Sequence, residues 1–168
     1  MSLWSEYLKR ELRDFERLAI MCVGNKYASD DGVGPEIAGI LSKLIVKKEC
    51  GSVFVINCYD SPENFTSPVK KIKPSHILII DSCISGKKPG TISAFAMTDL
   101  NEYDISTHRM PVRLLADYLV SETGSTIIIL GIEPEFTGRG AEISEPVRKA
   151  IEEIEKFFFE FLGNNKKV

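Results

Sequence analysis

Apolar positions along the chain follow two patterns. Trp4, Tyr7, Leu8, Leu12 and Phe15 recur at helical spacing with charged residues between them, which predicts an amphipathic helix over residues 1–17. Short unbroken apolar runs then predict strands at 18–23, 53–57, 77–81, 91–97 and 126–132. Between the runs, polar loops and helical periodicity return. Ile37, Ile40, Leu41 and Leu44 share one face of a helix over 35–48, with Pro35 at its first position. Ser61-Pro62-Glu63 reads as the start of a short helix, because Pro68 and Pro74 follow closely. Further helices are predicted over 111–121 and 144–162, the last stopped by Gly163 and followed by a frayed tail at 164–168. The run Ile77-Leu78-Ile79-Ile80 is apolar throughout, as a strand covered on both faces must be. Strands alternating with helices predict an α/β fold: a three-layer α/β/α sandwich around a mostly parallel, twisted, five-stranded sheet. No linker or repeat interrupts the pattern, so residues 1–168 are expected to form one domain.

Composition narrows the function classes. The 168 residues carry 21 Lys and Arg against 24 Asp and Glu, a net charge of −3. That balance argues against a nucleic-acid-binding protein, which needs a basic face. No apolar run approaches the roughly 18 residues of a membrane span. Charges interrupt the N-terminus where a signal peptide needs an apolar stretch. The four cysteines, Cys22, Cys50, Cys58 and Cys83, form no C-x-x-C pair and read as buried thiols in a reducing compartment. A cytoplasmic protein is expected.

In a parallel sheet the chemistry collects beyond the carboxyl ends of the strands. Asp30 and Asp31 follow the first predicted strand, Asp81 ends the third, and His108 follows the fourth. Adjacent side chains diverge, so one of Asp30 and Asp31 is expected to face the site and the other to cap the helix near Pro35. His76 precedes its strand and belongs to the opposite rim. Asp31, Asp81 and His108 would then form a cluster of two carboxylates and an imidazole. Such a donor set suits nickel or zinc better than calcium, and without metal it suits general acid–base chemistry. The glycine-rich stretch Gly24 to Gly34 is not G-x-G-x-x-G and carries two aspartates that would repel a phosphate. A Walker A motif and a G-x-S-x-G elbow are also absent.

Gly24-Asn25 followed by Asp30-Asp31-Gly32-Val33-Gly34-Pro35 resembles the opening motif of the hydrogenase maturation endopeptidases, which process the large subunit of [NiFe] hydrogenases. Further matching segments follow in order: Pro62-Glu63-Asn64, the third strand into Asp81 with Pro89-Gly90, Thr107-His108 with Pro111, and Gly131-Ile132 with Pro134. The resemblance runs over about residues 19–160 and is greatest to the subgroup serving hydrogenase-3-type enzymes. It implies a sheet between helices, and metal-contacting residues at Asp31, Asp81 and His108. It further implies a partner, the hydrogenase large-subunit precursor, whose own nickel these residues would contact, with no organic cofactor. The implied reaction is removal of a short C-terminal extension. A non-catalytic metal-sensing module for the precursor and a zinc-dependent peptidase are the alternatives. One departure is Asn57-Cys58-Tyr59, where the family usually has Asp-Gly-Gly or similar.

Overall fold

The computed structural model describes residues 2–99, 112–140 and 142–164. The apolar run Leu18–Val23 forms β1, and every one of its side chains is buried. The other strands are β2 (Val53–Tyr59), β3 (His76–Ser82), β4 (Ile92–Ala96) and β5 (Thr126–Ile132). They form one sheet in the order β2-β1-β3-β5-β4. β1, β2, β3 and β5 are parallel, and β4 runs antiparallel beside β5. Helices α1 (Leu3–Glu11), α2 (Val33–Lys48), α3 (Thr66–Ile72), α4 (Val112–Thr123) and α5 (Glu145–Asn164) cover it.

Each central strand feeds two cores because successive side chains alternate in direction. Leu18, Ile20 and Cys22 of β1 pack with α1, α2 and α5, whereas Ala19, Met21 and Val23 pack with α3 and α4. This is the three-layer sandwich that the alternating pattern predicts. Phe157, Phe158 and Phe161 of α5 form an aromatic cluster, and Trp4 of α1 packs 5.2 Å from the Phe157 ring.

Local boundaries differ from the sequence reading in instructive ways. The first helix ends at Glu11, well short of residue 17. The chain beyond it turns over residues 12–14 and then leads into β1, where the backbone N–H groups of Glu16 and Arg17 donate to Ser75 Oγ at 2.9 and 3.3 Å. α2 begins at Val33, straight after a 3₁₀ turn over Ser29–Gly32, so Pro35 is its third residue. Pro68 likewise lies inside the first turn of α3, where a missing N–H leaves no helical bond unmade. A 3₁₀ turn, Pro62–Phe65, precedes it, and Ser61 makes no side-chain cap.

The direction of β4 corrects a premise of the site prediction. Ile92 pairs with Ile132 and Ala96 with Ile128, so the carboxyl end of β4 points to the rim opposite Asp81. Strand direction therefore does not bring the residues after β4 to the site. His108, with Thr107 and Pro111, lies outside the described residues. α4 ends beside the foot of β5, where Ser125 Oγ donates to the Pro74 carbonyl at 2.6 Å, so α4 descends from the carboxyl-end rim, where its first residue, Val112, lies.

Candidate active site

β1 lies between β2 and β3 in the sheet; the chain passes from β1 outward to β2 and then back past β1 to β3, so the winding reverses between β1 and β3. In open α/β sheets this reversal opens a crevice beyond the carboxyl ends. Asp31, in the 3₁₀ turn after β1, and Asp81, the second-to-last residue of β3, flank it.

Ser82 links the two carboxylates. Its hydroxyl donates to Asp31 Oδ1 at 2.7 Å, and its backbone N–H donates to Asp81 Oδ1 at 2.8 Å. The Asn25 N–H donates to Asp31 Oδ2 at 3.1 Å. Asp31 is half-buried and Asp81 fully buried. Among the described residues Asp81 Oδ2 has no hydrogen-bond partner. Burial, and then the charge of Asp31, push the Asp81 carboxyl well above the ordinary aspartate range, against the opposing Ser82 N–H bond. Cys58 lies close enough to feel the Asp81 charge. Burial first, and that charge second, push its thiol up to about 12, so it is no thiolate nucleophile.

Asp30 faces away from this pair, as adjacency requires, but it does not cap α2. Its buried carboxylate accepts from the N–H groups of Glu135 (2.8 Å), Phe136 (3.0 Å) and Ser144 (2.7 Å), and from Ser144 Oγ (2.9 Å). It thereby ties the first loop to the loop after β5 and to the start of α5. Glu133 does the same for the loop after β3, accepting from Ser85 N, Ser85 Oγ and Gly86 N. Sequence reasoning missed Ser82, Asn25 and Glu133; only their positions just past strand ends hinted at a role.

The glycines of the first motif serve packing. Gly24 has φ +144°, and a Cβ there would run into the Asp31 carbonyl. A Cβ at Gly34 would run into the Val23 carbonyl, so both glycines let the loop and α2 close onto the end of β1. Among the described residues no three His, Cys, Asp or Glu side chains converge as a metal cage. His76 starts β3 at the far rim, where burial lowers its pKa.

Large apolar side chains surround the crevice. Tyr27 follows β1, Tyr59 ends β2, Ile84 follows β3 and Phe136 follows β5, and they are 69%, 50%, 47% and 55% exposed. Their backbones are pinned: the N–H groups of Tyr27, Tyr59 and Phe136 donate to Asn25, Asn57 and Asp30 side chains.

The fold is that of an α/β protein with a linked carboxylate pair at the switch point of its sheet. The sequence profile of the family HycI, hydrogenase maturation protease, matches residues 36–160. The hydrogenase 3 maturation protease of Escherichia coli K12 is 32% identical over 136 residues, covering 80% of this chain and 84% of that protein. The crystal structure of the [NiFe] hydrogenase maturation protease HycI from Thermococcus kodakarensis KOD1 superimposes with a TM-score of 0.85 at 28% identity, covering 94% of this chain and 99% of that one. The solution structure of endopeptidase HycI from E. coli gives 0.73 at 30% identity, covering 89% and 94%. The chain belongs to the hydrogenase maturation protease family and is a peptidase. Among the described residues no helix is long and apolar enough to cross a membrane.

Proposed function

We propose that this chain is the endopeptidase that removes a short C-terminal extension from the nickel-loaded precursor of a [NiFe] hydrogenase large subunit. Asp31, Asp81 and His108 would meet the nickel that the precursor carries, so the ion belongs to the substrate. The observation that carries this reading is Asp81 Oδ2, buried without a partner beside a second carboxylate. An unmet buried polar atom costs about 1–3 kcal/mol, a cost that an arriving cation removes. Entry of the ion would favour the ionised carboxylate, against the burial that raises the Asp81 pKa. As a Lewis acid, the ion would then polarise the scissile carbonyl or the attacking water.

His108 enters on the family resemblance and on its place in the chain, four residues before Val112. The apolar ring of Tyr27, Tyr59, Ile84 and Phe136 supports a folded protein as substrate, since exposed apolar groups clustered in one place mark interaction surfaces. Four free, buried cysteines support a cytoplasmic setting.

The test is incubation with large-subunit precursor, with and without nickel, reading the C-terminus by mass spectrometry. Loss of the extension only from loaded precursor is expected, and Asp81→Asn or His108→Ala should abolish it. Equal cleavage of nickel-free precursor would end the nickel-gating reading.

A further inference from the structure

Thr91 and the next four residues, through Phe95, line one groove of about 790 Å³. Its other wall is α1, which contributes Leu3, Tyr7 and Arg10. Successive strand side chains point to opposite faces. Here Ile92 and Ala94 pack toward α1, α2 and α5, and Phe95 packs toward α3 and α4. A groove touched by all of them runs along the outer edge of β4, not over either face of the sheet. β4 is last in the strand order, and among the described residues its outer side makes no backbone hydrogen bond. A free edge of this kind recognises an extended peptide by adding it as a further strand.

One end of the groove lies level with the active rim. Asp81 pairs with Gly131, and Gly131 with Ser93, so one row of the sheet joins the acid pair to β4. Two strand spacings, about 10 Å, separate the ends of that row. Lys87 Nζ donates to Ser93 Oγ at 2.8 Å at this end of the groove. Tyr7 feels the charge of Asp99, just past the foot of β4, so Tyr7 and Arg10 mark the far end. The contact between Trp4 and Phe157 holds α1 in place as a wall.

We propose that this groove holds the substrate segment on the carboxyl side of the scissile bond, as a strand added along β4 and running from the rim toward Arg10. The proposal rests on the reading above that a C-terminal extension leaves the precursor. Five strand residues span about 17 Å, enough for a short extension. Lys87 supplies a positive charge at the rim end of the groove, whereas on the α1 wall Arg10 is ion-paired to Glu11 at 2.8 Å and Glu6 also lines the groove, so backbone pairing along β4 and not net charge would hold the peptide. A second copy of this chain fits poorly, because α1 stands over the edge and a partner β4 would bring its own α1 into the same space.

Two measurements test this. Tyr7→Ala and Lys87→Glu, each confirmed folded by its thermal transition, should raise the KM for nickel-loaded precursor roughly fivefold or more with kcat unchanged. In the isolated complex of the Asp81→Asn variant with precursor, hydrogen exchange across Ile92–Ala96 should slow about tenfold. With the mature subunit, which lacks the extension, it should not slow. Unchanged KM in both variants, or equal protection by mature subunit, overturns the groove while cleavage itself proceeds. Protection that rises with protein concentration in the absence of precursor assigns the edge to a second copy and also overturns it. An intact precursor with wild-type protein defeats the wider reading and this one together.

Discussion

At the scale of single residues the site turns on Ser82. It carries both links between the carboxylates: hydroxyl to Asp31, N–H to Asp81. Ser82→Ala keeps the backbone bond and loses the hydroxyl, so Asp31 is left aimed by Asn25 alone. On the proposed reading, in which Asp31 meets the precursor's metal, losing the side chain that orients it costs roughly 10–100-fold in activity, and that drop in precursor cleavage is expected. Asp81 makes a sharper prediction. Its carboxyl binds a proton more tightly in the folded than in the unfolded protein. The group therefore takes nothing from stability below the ordinary aspartate pKa of 3.8, takes progressively more as pH rises above it, and levels off beyond the folded value. Asn at this position is neutral at every pH and retains an acceptor for the Ser82 N–H. Asp81→Asn should raise the urea midpoint by a margin that widens as pH rises above about 4, while ending cleavage. A flat difference across that range would show that Asp81 is ionised without penalty. The positions of Asp31 and Asp81 were legible in the sequence because each follows a buried apolar run. Ser82 was not, because a serine after a strand has no periodicity to betray its partners.

At the scale of elements, contacts between loops and helix ends decide the geometry, and local propensity misleads. Gly34 lies in the first turn of α2, where Ala would ordinarily favour the helix by about 1 kcal/mol. Its Cβ would meet the Val23 backbone instead. Gly34→Ala should therefore destabilise, by about 1–3 kcal/mol, as α2 is pushed off β1. Urea denaturation gives the sign directly. Asp30 is the second element-level tie. Asp30→Ala leaves the N–H groups of Glu135, Phe136 and Ser144 without their acceptor, each at a cost of about 1–3 kcal/mol where water cannot replace it. Hydrogen exchange should accelerate first across 135–144, ahead of the sheet. The helix-capping role that the sequence suggested for Asp30 failed because its acceptors serve loops more than 100 residues away in the chain, as in the bond from Glu135. The antiparallel course of β4 was equally hidden. Ile-Ser-Ala-Phe-Ala reads as a strand whichever way it runs, and direction depends on where the chain goes next, not on the strand's own residues.

At the scale of the whole molecule, the framework that positions the acids also fixes the apolar ring proposed to meet the substrate. Tyr59 shows this most clearly. It sits at φ +51°, a conformation that costs a non-glycine residue about 1–2 kcal/mol, yet its ring is half exposed and gains little from packing. The backbone is held there from both sides, with the Tyr59 N–H donating to Asn57 Oδ1 at 3.3 Å and its carbonyl accepting from the Gly24 N–H at 2.7 Å. The second bond ties β2 to the turn that leads to Asp31. Strain kept at a rim without a packing return points to a use for the side chain. Stability and function then separate in one substitution. Tyr59→Gly keeps both backbone bonds, relieves the left-handed conformation and removes the ring. The thermal midpoint should hold or rise, because strain relief offsets the added freedom of the unfolded chain. The KM for the folded precursor should rise about tenfold, the share of binding carried by one aromatic anchor in a protein interface. A lower midpoint with unchanged KM would make Tyr59 part of the scaffold alone and would remove it from the docking ring.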